Sequence, residues 1–229
     1  MIRIHVRLIP LTPYNISSGL KTREKVVLFN FGVDPTFKFV PPTTIKGVLR
    51  TGANYAFYGN TCETVTAKIL VNELENIKEE LKKCEGVEKV KKSFTCSELQ
   101  RIRENNDCES MVYSSILKEV IDRFSKPCIV CRVFGNENVK AKARIVPRTL
   151  KVNTFFIKDL WFSYNMGESE KGLRVEVSND KIEFIVLCED EECKGVTLKA
   201  LEEINRGSVR LGKFKSRGFG IIKAQYEVV

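Results

Sequence analysis

Ile2, Ile4, Val6 and Leu8 alternate with Arg3, His5 and Arg7. This period of two predicts a strand buried on one face and basic on the other. "YNISSGLKTRE" reads as a polar loop, "KVVLFNFGV" as a strand, and "DPTFKFV" as a turn running into an extended piece. In "PPTTIKGVLRTGANYAFYG" the prolines fix an extended approach, Thr43 or Thr44 can cap, and Ile45, Val48, Leu49 and Ala53 form the apolar stripe of a helix that Gly59 closes. Between residues 63 and 125 the apolar spacing is helical throughout. Glu/Lys pairs support it, and Ser97 followed by Gln100 has the form of a capping box. This block reads as a helical insertion within one domain.

After Gly135 the pattern turns to strands. "ARIVPRTLKV" and "TFFIKDLWFSY" are extended, and "LRVEVSNDKIEFIVL" reads as a hairpin turning at Asn179-Asp180. "GVTLKALEEINRG" is a short helix ended by Gly207, and a last strand runs from about Phe219 to Val228. Helices interleaved with antiparallel strands place the fold in the α+β class.

Composition changes this picture little; charge placement changes it more. The chain has 229 residues, 43% hydrophobic and 29% charged, as in an ordinary globule. No apolar run reaches about 18 residues, so no membrane span is expected. The alternating N-terminus argues against a signal peptide. A cytoplasmic location follows as the expectation, with the eight cysteines as thiols or metal ligands more than disulfides. The net charge is +9, and the cations are segregated. Residues 204–226 carry Arg206, Arg210, Lys213, Lys215, Arg217 and Lys223 with no acid, and residues 138–158 carry Lys140, Lys142, Arg144, Arg148, Lys151 and Lys158 with none. If these stretches meet in the fold they form a positive face suited to a polyanion.

Three motifs carry candidate chemistry. "GKFKSRGFG" has the wrong spacing for a nucleotide-hydrolysing P-loop, and the sequence after it is a strand, not a helix. It comes too late in the chain for an ordinary RNA-recognition motif. What remains is a glycine-rich basic turn whose backbone can lie close to phosphates. "CIVCRVFG" holds the CxxC pair Cys128 and Cys131. With Cys96 and Cys108 they make a candidate four-thiolate zinc site pinning the helices, in which Cys84 or Cys62 can replace one member; Cys188 and Cys193 read as bystanders. "VPPTTIKGVLR" sets Lys46 and Arg50 on the first turns of a helix whose N-terminus favours anions.

In this order, "VPPTTIKGVLR", "CIVCRVFG" and "GKFKSRGFGIIK" resemble the successive motifs of the RAMP superfamily of CRISPR-associated proteins, and above all those of the backbone subunits of type III effector complexes. The resemblance implies a ferredoxin-like (RRM-like) palm in a single domain, residues 1–229. Within it would lie a helical insertion, residues 62–131, that can hold zinc, and a β-hairpin or thumb insertion. It implies binding of CRISPR RNA through its phosphate backbone, with stacking beside other effector subunits or further copies and contact with target RNA. By that match Lys46, Arg50, Lys215, Ser216, Arg217 and Phe219 are RNA-contact candidates, joined by Lys213, Gly218 and Arg144 of the basic stretches. Subunits of this class that cleave target RNA carry an Asp before the Pro-containing helix approach. Here Val26 or Val27 stands near that place, flanked by Glu24 and Asp34, which argues against cleavage. Two other readings compete: a processing endoribonuclease with His5 as its general base, and a zinc-stabilised protein-interaction domain.

Overall fold

The computed structural model describes residues 1–21, 26–84, 90–160 and 173–229. The N-terminal part holds β1 (Ile2–Pro10), β2 (Ser17–Lys21), β3 (Val26–Phe29) and α1 (Pro42–Ala56). A helical block follows: α2 (Cys62–Asn72), α3 (Leu74–Leu81), α4 (Cys96–Glu104), α5 (Cys108–Arg123) and α6 (Ile129–Phe134). The rest comprises β4 (Ala143–Pro147), β5 (Phe155–Leu160), β6 (Leu173–Val177), β7 (Ile182–Cys188), α7 (Glu191–Asn205) and β8 (Ile222–Val228).

The first sheet has the order β4-β7-β1-β8, antiparallel at every pairing. With α1 and α7 as its crossovers this is the βαββαβ arrangement of a ferredoxin-like palm. Ile4, Val6 and Leu8 face Val186, Phe184 and Ile182 across the β1–β7 ladder, and all six are buried. They pack under α1 and α7, whose apolar stripes (Ile45, Val48, Leu49 and Ala53; Val196, Ala200, Leu201 and Ile204) close one core. The odd residues of β1 point the other way, as the alternation predicts.

The second sheet, β2-β3-β6-β5, departs from the sequence reading in two places. "LRVEVSNDKIEFIVL" is not a hairpin: β6 pairs with β3 and β5, and β7 with β1 and β4. The residues between them carry the chain from one sheet to the other, with Ser178 bridged to Tyr14. The alternation misled because Glu176 is buried, not exposed. Its carboxylate accepts from Phe29 N (2.8 Å), Lys38 Nζ (3.0 Å) and Thr154 Oγ1 (2.7 Å), which satisfies a buried charge. "YNISSGLKTRE" is likewise no simple loop. Tyr14, Asn15 and Ile16 are buried and Ser17–Lys21 forms β2, while residues 22–25, with Glu24, lie outside the described residues, as does the end of "TFFIKDLWFSY" beyond Leu160.

Caps define the helical block. Thr61 and Asp107 cap α2 and α5, and Thr95 with Glu98 forms the capping box of α4, two residues before the expected Ser97/Gln100 pair. At α1 neither Thr43 nor Thr44 caps; Pro41 is the N-cap and Pro42 occupies the first turn. Disulfides join Cys84 to Cys108 and Cys188 to Cys193, against the expectation of free thiols.

Candidate nucleic-acid interface and metal centre

The glycine-rich stretch between α7 and β8 is a clamped loop. Leu211 N donates to Gly220 O (2.8 Å), Lys213 N to Asn15 O (2.9 Å), Gly220 N to Pro13 O (2.9 Å) and Thr12 Oγ1 to Gly218 O (2.8 Å). Gly212 and Gly220 have φ of +80° and +71°, and a Cβ on either would meet Asn15 O at 2.2 Å or Leu211 O at 1.9 Å. Only glycine serves where the backbone is left-handed and this close to its neighbour. Between these anchors Lys215–Arg217 forms a short 3-10 turn. Lys213, Lys215, Ser216 and Arg217 are exposed on it, and partial burial holds the Lys215 ammonium below its ordinary pKa. Phe219 differs from the expectation. It is 8% exposed and packs against Val175 and Val177 of β6, so its ring anchors the loop and is not free to stack on a base.

The start of α1 forms a second basic feature. Thr43, Lys46, Gly135, Asn136, Val139 and Lys140 line a groove of about 480 Å³. Burial and the charge of Arg50 lower the Lys46 pKa. Lys140 was visible only as one cation of a basic stretch; the turn after α6 is what brings it opposite Lys46. Arg50 lines the same groove, but its guanidinium is engaged by partners of the protein itself. Its Nε donates to Glu63 Oε1 (2.6 Å), Nη1 to Gly135 O (2.6 Å) and Nη2 to Cys131 Sγ (3.2 Å), while Nη2 also pairs with Glu63. Burial alone would depress its pKa, but Glu63 and Cys131 hold it above the ordinary value. Arg144 lies apart from both features, exposed on β4.

Cys62, Cys96, Cys128 and Cys131 converge with all four sulfurs within 4.8 Å of one another. Cys108 is not a member, because it is bonded to Cys84; Cys62 takes its place. Cys62 and Cys96 are the first residues of α2 and α4, and Cys128 is the N-cap of α6. Helix N-termini favour thiolates. The Cys62 sulfur stands 3.5 Å from that of Cys128 and 3.6 Å from that of Cys131. A tetrahedron with Zn–S of about 2.3 Å has edges of about 3.8 Å, so the set fits a tetrahedral thiophilic ion. Cys128 N donates to Cys96 Sγ (3.2 Å), and with Arg50 it supplies outer donors that offset thiolate charge. Hydrogen bonds among the four sulfurs pull the Cys131 thiol below its usual pKa and push those of Cys62 and Cys96 up.

The remaining candidates are placed plainly. Asp34 accepts from Thr36 N and Thr36 Oγ1, both at 2.8 Å, in an exposed turn, and these bonds lower its pKa. His5 lies on the palm face opposite α1 and α7, in a groove of about 350 Å³ with Arg7, Arg148, Glu183 and Glu227.

A family model described as the RAMP superfamily matches residues 7–223. A comparison with curated proteins returns no match. Among solved structures, a chain of "Cryo-EM structure of the Type III-B Cmr-beta bound to cognate target RNA" is 13% identical, with a TM-score of 0.47. That alignment covers 100% of this chain and 60% of the other, so this chain spans about 60% of its length.

Proposed function

Because this chain belongs to the RAMP superfamily of CRISPR-associated proteins, we propose that it is an RNA-binding structural subunit of a type III-like CRISPR ribonucleoprotein. It holds CRISPR RNA through the phosphate backbone, beside other effector subunits or further copies of itself, with target RNA paired to the guide. The observation that carries this reading is the clamped glycine-rich loop, which turns Lys213, Lys215, Ser216 and Arg217 outward while its backbone stays fixed. A preset backbone spares the loop its own ordering cost on binding phosphate, leaving that of the side chains, and such contacts read no sequence. Lys46 and Lys140 add a second phosphate contact at the start of α1.

The chain acts as a single domain, residues 1–229, whose helical insertion over residues 62–131 is pinned by zinc on Cys62, Cys96, Cys128 and Cys131. Zinc here is structural: four thiolates leave no open position for substrate. No cleavage is assigned, since Asp34 is committed to its own turn. Among the described residues no helix is long and apolar enough to cross a membrane.

Labelled repeat–spacer RNA and its complement, incubated with the purified chain in magnesium or in EDTA, test this reading. Several copies bound per RNA, with both strands intact, is the expected result. Metal-independent cutting of the repeat that disappears in His5→Ala would make the chain a processing enzyme. Metal-dependent cutting of the complement, lost in Asp34→Ala or Glu24→Ala, would make it a target nuclease.

A further inference from the structure

The palm face opposite α1 and α7 has a charge pattern of its own. Core-facing residues alternate with outward ones along each strand, so the outward set is fixed by register. One cross-strand row is Arg3–Leu187–Arg144; the next is Glu227–His5–Ile185–Val146. A third is Gln225–Arg7–Glu183, beside Arg148, and Lys223 stands opposite Ile9. Rows along a strand repeat at about 6.8 Å. Arg3, Arg144, Arg148 and Lys223 are exposed and have no side-chain partner among the described residues. Of the two acids, Glu183 is already bound to Arg7 at 2.6 Å. The middle of the face is apolar: Leu187 and Val146 are half-buried, and Ile185 between them is buried. Cations therefore border an apolar floor, and a groove of about 350 Å³ runs between His5, Arg7 and Arg148.

We propose that this open palm face is a second RNA track, separate from the glycine-rich loop, that takes a single-stranded segment with its phosphates on Arg3, Arg144, Arg148 and Lys223 and its bases over Val146 and Leu187. Charge complementarity selects the occupant. An unpaired cationic border suits a polyanion and tracks its backbone without reading sequence. The proposal rests on the reading of the chain as an RNA binder but not on the loop as the contact. It gives one subunit two faces for nucleic acid, so that one strand can be held while another passes.

Fluorescence anisotropy of a labelled single-stranded RNA of mixed sequence, titrated at several salt concentrations, tests it with two variants. The face variant is Arg3→Glu/Arg144→Glu/Arg148→Glu; the loop variant is Lys213→Glu/Lys215→Glu. Each lost phosphate contact flattens the log–log salt slope by about 0.7 for single strands, so the face variant is expected to lower the slope by about 2 and to weaken binding about tenfold or more near 0.1 M salt. Ultraviolet crosslinks to peptides spanning residues 3–9 and 144–148 are expected in the wild type. Unchanged affinity and slope in the face variant, with no such crosslinks, would overturn the proposal. If the loop variant alone loses binding, the second track fails and the proposed function stands; if neither variant changes binding, both fail. A face variant that alters only self-association, seen by sedimentation, would assign the face to protein instead. Should the glutamates unfold the sheet, the crosslinks and the Arg3→Gln/Arg144→Gln/Arg148→Gln variant decide.

Discussion

Arg50 shows at residue scale how position redirects a side chain. Its place one turn after Lys46 suggests a solvated cation facing RNA, yet its guanidinium is spent on Glu63, Gly135 O and Cys131. It thereby ties α1 to the thiolate cluster. A lysine reaches one of these partners, not three. Arg50→Lys is expected to weaken zinc affinity 10- to 100-fold, the usual cost of losing an outer partner, as read by competition with a chromophoric chelator. Gly220 gives a backbone counterpart. Gly220→Ala drives a Cβ to 1.9 Å from Leu211 O in a left-handed conformation and is expected to cost about 1–3 kcal/mol or more in denaturant unfolding. The cysteines show what was legible. CxxC in "CIVCRVFG" announces itself by spacing. Cys62 and Cys108 both open helices, so no local signal separates the cluster member from the disulfide partner; the tertiary approach of the Cys62 sulfur to those of Cys128 and Cys131 decides it.

Among elements, the joint between α7 and its surroundings is electrostatic. Asp190 caps α7, Lys142 binds Asp190 Oδ2 (2.7 Å) and Glu192 Oε2 (2.9 Å), and Arg132 also pairs with Glu192. Hydrogen bonds from Arg132, then Lys142, lower the Glu192 pKa. A carboxylate with a depressed folded pKa stabilises the fold above its unfolded value of about 4.3 and loses that contribution as pH falls through the folded value. The thermal midpoint is therefore expected to fall on acidification below about pH 4.3, and Glu192→Gln to flatten that fall in a melting series. An undiminished fall would remove Glu192 from the cause. Strong period-two and 3.6-residue patterns revealed β1, α1, α5 and β8. The two misread segments share one reason. The strand pattern assumes a polar residue is solvated, and Glu176, Tyr14 and Asn15 are buried polar groups that are mostly satisfied by hydrogen bonds.

For the whole molecule, strand order is set by contacts far apart in sequence. The palm could be expected only through the motif resemblance, and the mixed second sheet not at all. On the proposed reading, zinc on the thiolate cluster pins the helical block beside the palm. Chelation is expected to remove part of the helical circular-dichroism signal while the antiparallel sheet persists, and added zinc to restore it. Elemental analysis finding no metal in protein purified without chelator would contradict this. RNA binding remains the claim on which the rest depends. The most direct measurement is the salt dependence of binding to a labelled CRISPR RNA, for the wild type and for Lys46→Glu/Lys213→Glu/Lys215→Glu. The account predicts a steep linear fall of log affinity with log salt, and a slope shallower by about 2 in the variant. Weak, salt-insensitive binding shared by both proteins would contradict it.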